Sequence, residues 1–275
     1  TVLSKIAMQS SLYQGLKISD TTQTQVNDFL VTEAPLQINI NSEPYTVVMR
    51  TPNEDFELIR GLLYAEDIYK GKEPISFLVV KEEEHTPSII NVTLPPEKLG
   101  NGYLNKRTLL SVSSCGICGK KELNDIAIDG QKLTNNLAFE ANHIHNMYTI
   151  MHKAQKTYKK SGGSHAAALF CSENNLLSLK EDIGRHNAVD KVIGHLLEQN
   201  TLYKAKYMLV SGRVSYEIVT KAFIAKIPII VAVSACSSLA VDFAKEFGIC
   251  LIGFTRQQKM TVYANTNVIN SATYG

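Results

Sequence analysis

Three short apolar runs limit most strongly how this chain can fold: Tyr207 to Val210, Ile229 to Val233 and Ile249 to Phe254. No charged or amide residue interrupts any of them. Such continuity suits strands whose sheet is covered by helices on both faces, whereas a half-exposed strand alternates. Helical periodicity over about Arg185 to Gln199, Ser215 to Ala225 and Ser237 to Phe247 separates the runs, which predicts an α/β layer built on a parallel sheet. Just upstream, His165 to Cys171 and Leu176 to Lys180 flank Asn174-Asn175, a hairpin signal.

The first half reads differently. One strand is predicted over Val31 to Ile40, a turn at Asn41-Ser42-Glu43-Pro44 and a second strand over Tyr45 to Arg50. Asn53 offers an N-cap, with Glu54, Asp55 and Glu57 in the first turn and Phe56, Ile59, Leu62 and Leu63 at helical spacing. Strands follow at Phe77 to Val80, Ser88 to Leu94 and Leu109 to Val112. A helix is predicted from Leu137 to Tyr158, stopped by Ser161-Gly162-Gly163. The expected organisation is a smaller β-rich α+β region over 1–136 and an α/β domain over 137–275, with the boundary between Gly130 and Asn142.

Bulk properties narrow the partners. A hydrophobic fraction of 44% over 275 residues supports a packed core. No apolar run approaches the roughly 20 residues of a membrane span, and Thr1 to Gly15 lacks a signal-peptide core, so a cytoplasmic protein is expected. A net charge of +2 gives nucleic acid no support as a partner. Five cysteines are too few and too scattered for a disulfide framework, and Cys171 and Cys250 lie in apolar runs where free thiols pack as small hydrophobes.

Chemistry concentrates in three places. Cys115 and Cys118 stand in the loop Ser113-Ser114-Cys115-Gly116-Ile117-Cys118-Gly119, followed by Lys120 and Lys121. Nearby positive charge favours the thiolate, and the spacing lets two thiols share a metal, form a disulfide or act as an attacking and a resolving pair. A zinc site would need two more ligands, and His143 and His145 point apart on a helix. Zinc, redox chemistry, sulfur chemistry and an inert loop therefore all stay open at this level. Secondly, the apolar strands end in Ser211-Gly212-Arg213, in Ser234-Ala235-Cys236-Ser237-Ser238 and in Phe254-Thr255-Arg256-Gln257-Gln258-Lys259. Ligands of parallel sheets bind beyond such ends, and Ser211, Arg213 and Ser234 suit a phosphate or nucleotide. Serines that merely cap helices are the competing reading. Thirdly, Glu181 to Lys191 is densely polar, and His186 and Asp190 lie one helical turn apart, so His186 reads as an acid/base or ligand contact, or as part of a salt-bridged helix start.

Together these segments resemble the formate dehydrogenase accessory sulfurtransferase family, FdhD/NarQ. The resemblance rests on residues 113 to 120, 181 to 194, 211 to 213 and 254 to 259, and extends to Glu33-Ala34-Pro35-Leu36 and Arg50-Thr51-Pro52. It implies a cytidine-deaminase-like α/β domain and a cytoplasmic homodimer. It further implies a sulfurtransferase in which a cysteine desulfurase gives Cys115 a persulfide, with Cys118 assisting. The sulfur then passes to a molybdenum cofactor carrying two molybdopterin guanine dinucleotides, bound as a client with no resident metal, for delivery to formate dehydrogenase. Phe254, Thr255, Arg256, Gln257, Gln258 and Lys259 would contact the guanine dinucleotide. Zinc deaminases place His-x-Glu and Pro-Cys-x-x-Cys at two helix starts. Here His186 is followed by Asn187-Ala188, and Ser211-Gly212-Arg213 holds no cysteine pair, so base deamination is not expected.

Overall fold

The structure is a computed structural model that describes residues 9–83, 86–103, 131–134, 138–256 and 258–268. The chain opens with an antiparallel ribbon, β1 (Ser10–Ser19) and β2 (Thr22–Val31). Next come β3 (Ala34–Ile40), β4 (Glu43–Arg50), α1 (Asp55–Ala65), β5 (Ser76–Glu83) and β6 (Thr86–Thr93). After α2 (Ala141–Ala154) and α3 (Lys156–Ser161) the order is β7 (His165–Phe170), β8 (Leu176–Asp182), α4 (Arg185–Glu198), β9 (Tyr207–Val210), α5 (Tyr216–Ile224), β10 (Ile229–Ala232), α6 (Ser238–Phe247), β11 (Cys250–Arg256) and β12 (Lys259–Ala264).

Two larger sheets organise these elements. One has four strands in the order β4-β3-β6-β5, and the other six in the order β12-β11-β10-β9-β7-β8. Within the second, β9, β10 and β11 are parallel as expected, but β7 runs antiparallel to β9 and β12 antiparallel to β11, so the sheet is mixed. The period-two geometry of strands sorts their residues cleanly. Ala167, Leu169, Met208, Val210, Ile230, Ala232 and Leu251 pack against α4, α5 and α6. Ala168, Phe170, Tyr207, Leu209, Ile229, Val231, Cys250 and Ile252 pack on the other face, against Phe139 and the Ile144, Met147 and Met151 stripe of α2. Burial on both faces explains the unbroken apolar runs.

The four-stranded sheet buries Leu36, Ile38, Ile40, Ile90 and Val92 against Leu58, Ile59, Leu62 and Leu63 of α1. Helix α1 also lies against α4, at two glycines. A Cβ on Gly61 would meet the Asp190 carbonyl, and one on Gly194 would meet the Glu57 carbonyl. Backbone cannot step aside as a side-chain tip can. Gly194→Ala and Gly61→Ala are each expected to cost about 1–3 kcal/mol by overpacking, seen as a lower thermal midpoint. An unchanged midpoint would show that the helices do not meet there.

Several expectations need correction. The strand predicted over 31–40 is two strands that part at Thr32-Glu33, and the β1–β2 ribbon before it was not foreseen. Both ribbon strands are largely exposed, so burial imposes no alternating pattern on them. Asn53 is not the N-cap of α1. Glu54 is, and both residues have left-handed backbone, with φ 76° and 62°. Phe56 is not core either; it is exposed and stacks on Phe77 with ring centroids 4.8 Å apart. The long helix predicted to Tyr158 breaks at Gln155, which leaves Tyr158 exposed on the short α3. Glycine at 162, with φ 69°, stops α3 as expected. The segment after Phe254 is the turn of the β11–β12 hairpin. The strand expected at Leu109 to Val112 and the domain boundary at 136–137 lie outside the described residues.

Candidate functional site

Sheet order gathers the expected strand ends along one edge. Beyond the last ladder residues the backbones remain paired. The Ser211 N–H donates to the Ala166 carbonyl (2.9 Å), Val233 to Val210 (3.0 Å), Val214 to Ala235 (3.0 Å) and Phe254 to Ser234 (3.0 Å). Ser211, Arg213, Ser234 and Phe254 therefore form one row at the carboxyl ends of β9, β10 and β11. Arg213 is exposed and the two serines are half-buried. Phe254 is 47% exposed and holds a left-handed φ of 53° where the β11–β12 register shifts. Thr255 is fully buried, and its hydroxyl finds no hydrogen-bond partner among the described residues. Arg256 is exposed and reaches the Val233 carbonyl at 3.4 Å, while Gln258 and Lys259 are exposed at the hairpin turn. Gln257 lies outside the described residues.

Sequence reasoning did not place His165, Arg185, Ser215 or Glu217 at this edge. Because β7 is antiparallel to β9, its first residue, not its last, reaches the row. The Ser211 hydroxyl accepts from the Ala166 N–H (2.9 Å) and stands 3.4 Å from His165 Nδ1. Burial lowers the His165 pKa; Arg185 and Arg213 push it the same way, and Asp182 opposes them.

Serines divide between the two readings the sequence left open. Ser237 caps α6, its hydroxyl accepting from the Ala240 N–H at 3.2 Å. Ser215 precedes α5 yet does not cap it; its hydroxyl faces His186 Nε2 at 3.2 Å. Glu217 Oε2 is 3.9 Å from the same nitrogen. Burial raises the Glu217 pKa, but a hydrogen bond to Ser215, a backbone hydrogen bond and the charges of His186 and Arg185 outweigh it, leaving the carboxyl below its usual range. His186, itself buried, thus joins a small polar cluster at the α4 and α5 starts.

The rest of the 181–191 segment is mainly a structural joint. Asp182 is fully buried, accepting from the Thr51 N–H (3.1 Å), the Gly184 N–H (2.8 Å) and Asn187 Nδ2 (2.9 Å), with Lys191 Nζ at 2.9 Å. Lys191, also fully buried, donates to the Thr51 carbonyl at 2.9 Å. Glu181 accepts from the Thr157 and Tyr158 amides at the start of α3 and from Ser164. Asp190 takes a 2.6 Å ion pair from Lys221. On the other side of the joint, Arg50 holds Asp55 through two hydrogen bonds of 2.7 and 3.1 Å.

The described thiols are wholly or partly buried. Burial pushes Cys250 up to about 12 and Cys236 up to about 11, and Cys171 is buried. Cys115 and Cys118 lie outside the described residues. The residues bounding their segment sit at the edge opposite the strand-end row. Gly102 bonds to Asp67 just past α1, whose Tyr64 reaches the Ile224 carbonyl at the end of α5. The Leu133 N–H donates to the Phe247 carbonyl at the end of α6, and Gln131 to Thr134 line a cavity with Lys206, Lys226 and Pro228, which precede β9 and β10.

Among the described residues no group of His, Cys, Asp or Glu could hold a metal ion, and no helix is long and apolar enough to cross a membrane.

Comparison with known proteins places this architecture. The chain is 36% identical over 263 residues to the sulfur carrier protein FdhD of Streptomyces avermitilis, covering 92% of this chain and 93% of that protein. It is 40% identical over 255 residues to the one of Mycobacterium tuberculosis, covering 87% and 91%. A third, from Sulfurisphaera tokodaii, is 36% identical over 94% of this chain and 98% of its own length. A crystal structure described as that of a formate dehydrogenase accessory protein from Desulfotalea psychrophila shares the fold, with a TM-score of 0.73 at 21% identity over 96% of this chain and 100% of that one. The model of the FdhD/NarQ family matches residues 31–270, and with relatives this similar over nearly their whole lengths, the chain belongs to the FdhD/NarQ family.

Proposed function

We propose that this protein carries sulfur on Cys115 and passes it to a molybdenum cofactor with two molybdopterin guanine dinucleotides, thereby activating a formate dehydrogenase. One observation carries the acceptor half of this reading. Ser211, Arg213, Ser234 and the Phe254-to-Lys259 hairpin line one sheet edge, in a chain whose relatives are named sulfur carriers. A phosphate-bearing ligand suits that edge, where guanidinium groups, hydroxyls and the unpartnered Thr255 hydroxyl gather. The strand order β8-β7-β9-β10-β11, with β7 reversed, supports the deaminase-like description of the 137–275 domain.

The transfer runs in two steps. A Cys115 thiolate attacks the sulfane sulfur of a cysteine desulfurase persulfide, and the donor cysteine leaves as its thiolate. The Cys118 thiolate then attacks the Cys115 sulfur. A disulfide forms between the two residues, the terminal sulfur departs as hydrosulfide toward the bound metal, and a thiol reductant resets the pair. Cys115 stands twelve positions after Tyr103, a reach of up to about 40 Å when extended, enough to span a sheet edge to edge. Catalysis is then mainly positioning.

The homodimer is proposed on the β1–β2 ribbon, one face of which exposes Leu12, Leu16, Ile18 and Phe29. A cytoplasmic location fits a thiol chemistry that needs reduced cysteines.

Intact-protein mass spectrometry after incubation with cysteine and a desulfurase tests the donor half. The expected result is a gain of one sulfur atom, absent in Cys115→Ala. A gain that persists in that variant would place the sulfur elsewhere.

A further inference from the structure

We propose that Lys132, Lys206 and Lys226, with Tyr203 and Lys204 beside them, form a docking surface for an acidic segment of the protein that gives sulfur to Cys115. The proposal rests on the sulfur-carrier reading above and adds to it where the donor protein binds: the amino ends of β9 and β10, at the edge opposite the strand-end row.

The first argument is unmatched charge. Lys132, Lys206 and Lys226 line one cavity of about 390 Å³, and no acid lines it among the described residues. None of the three, nor Lys204, lies within ion-pair distance of a carboxylate among the described residues, whereas Lys70, Lys81, Lys98, Lys180, Lys191 and Lys221 each have an acidic partner. Lys206 Nζ donates instead to the Tyr203 carbonyl at 3.3 Å, and Lys226 Nζ lies 4.8 Å from the Phe223 ring centroid. Ammonium groups gathered around a cavity repel one another, and a carboxylate-bearing segment relieves that repulsion on docking.

The second argument is the backbone at Lys226. This residue follows α5 with a left-handed φ of 58°; its N–H donates to the Phe223 carbonyl (3.0 Å), and the Ile227 N–H to the Ala222 carbonyl (2.9 Å). Glycine is the residue that such a helix end favours, and it fills the equivalent left-handed positions after α3 and α6, at Gly162 and Gly248. After α5 a lysine stands there against the backbone preference, which fits a role for its charge.

Position is the third argument. Ile229 pairs with Tyr207, so Lys206 and Pro228 stand side by side where β9 and β10 begin. The 131–134 segment is fixed beside them, its Leu133 N–H bound to the Phe247 carbonyl at 2.8 Å and Lys132 Cγ so near Gly248 that a Cβ there would stand 2.8 Å from it. Tyr203, 71% exposed, adds an aromatic anchor of the kind that interfaces favour. Tyr103 and Gln131 bracket the stretch that carries Cys115, and the described residues at both of its ends lie at this edge. A donor docked here meets the cysteine segment and leaves the strand-end row open to the acceptor.

Isothermal titration calorimetry of the full chain against the cysteine desulfurase used in the mass-spectrometric test separates the outcomes. In the Lys132→Gln/Lys206→Gln/Lys226→Gly variant, affinity for the desulfurase is expected to fall at least about tenfold at low salt, and added salt should weaken binding of the unaltered protein more than that of the variant. Hexaglutamate should compete with the desulfurase for the unaltered protein. Lys226→Gly alone relieves the left-handed backbone, so its thermal midpoint should rise while its affinity falls, opposite signs that loss of folding cannot produce. Equal affinity of the folded triple variant and the unaltered protein overturns the docking surface, as does failure of the unaltered protein to bind the desulfurase. Tighter, lysine-dependent binding of a short single-stranded DNA overturns the choice of an acidic protein as partner. If the desulfurase binds in a lysine-dependent way but Cys115 gains no sulfur, the docking surface stands and the sulfur-carrier reading falls.

Discussion

Lys191→Met is expected to destabilise the protein by about 3–5 kcal/mol, the cost of stripping one partner from a buried ion pair. Both Lys191 and Asp182 are fully buried, with Nζ and Oδ2 2.9 Å apart. Methionine nearly matches the aliphatic stem, so packing changes little and the effect is mainly electrostatic. It leaves the Asp182 carboxylate without its cation and the Thr51 carbonyl without its donor. Amide donors from Thr51, Gly184 and Asn187 remain on Asp182 and soften the loss. Against a typical total of 5–15 kcal/mol, the change is large. Urea denaturation measures it directly. Asp182→Asn combined with Lys191→Met removes both charges, so the double variant should recover part of the stability lost in the single one. A single-variant loss below about 1 kcal/mol would mean the pair is solvated rather than buried. Since Thr51 belongs to the first half of the chain and Lys191 to the second, the same pair holds the α1 side against the six-stranded sheet.

The second large effect concerns function. Cys115→Ala is expected to bind guanine nucleotide like the unaltered protein yet leave formate dehydrogenase at background activity. A protein that merely shelters the cofactor would instead tolerate the substitution, and normal formate dehydrogenase activity in that variant would support this sheltering role. Cys118→Ala should still accept sulfur, because the first attack needs only Cys115. It should release that sulfur slowly, because the resolving thiol is gone. Persulfide that accumulates on Cys118→Ala and decays faster in the unaltered protein is the expected signature, read by intact mass over time.

Residues of the strand-end row differed in how far the sequence exposed them. Ser211, Arg213, Ser234 and Phe254 were legible because parallel strands all present their carboxyl ends at one edge, and those ends follow directly from the apolar runs. His165 was not, since its strand runs against β9 and only the sheet order brings its amino end to that edge. The 181–191 segment drew attention as chemistry because it is densely polar. Most of its charges instead serve burial: Asp182 with Lys191, Asp190 with Lys221, and Glu181 on the amides of α3. Density of polar residues does not distinguish a site from a joint; partners do.

Sequence alone determined the alternation of strands and helices after residue 165, the burial of Cys171 and Cys250, and the family. These depend on periodicity, hydrophobicity and motif, which are properties of short windows. Tertiary structure alone decided that the sheet is mixed, that α1 and α4 meet at Gly61 and Gly194, and that Thr51 closes onto Asp182 and Lys191. It also put the described residues bounding the cysteine segment at one edge and the arginine-lined strand ends at the other. Such facts come from contacts between residues far apart in the chain, where packing and the pairing of buried charge select one arrangement among many that local preference allows.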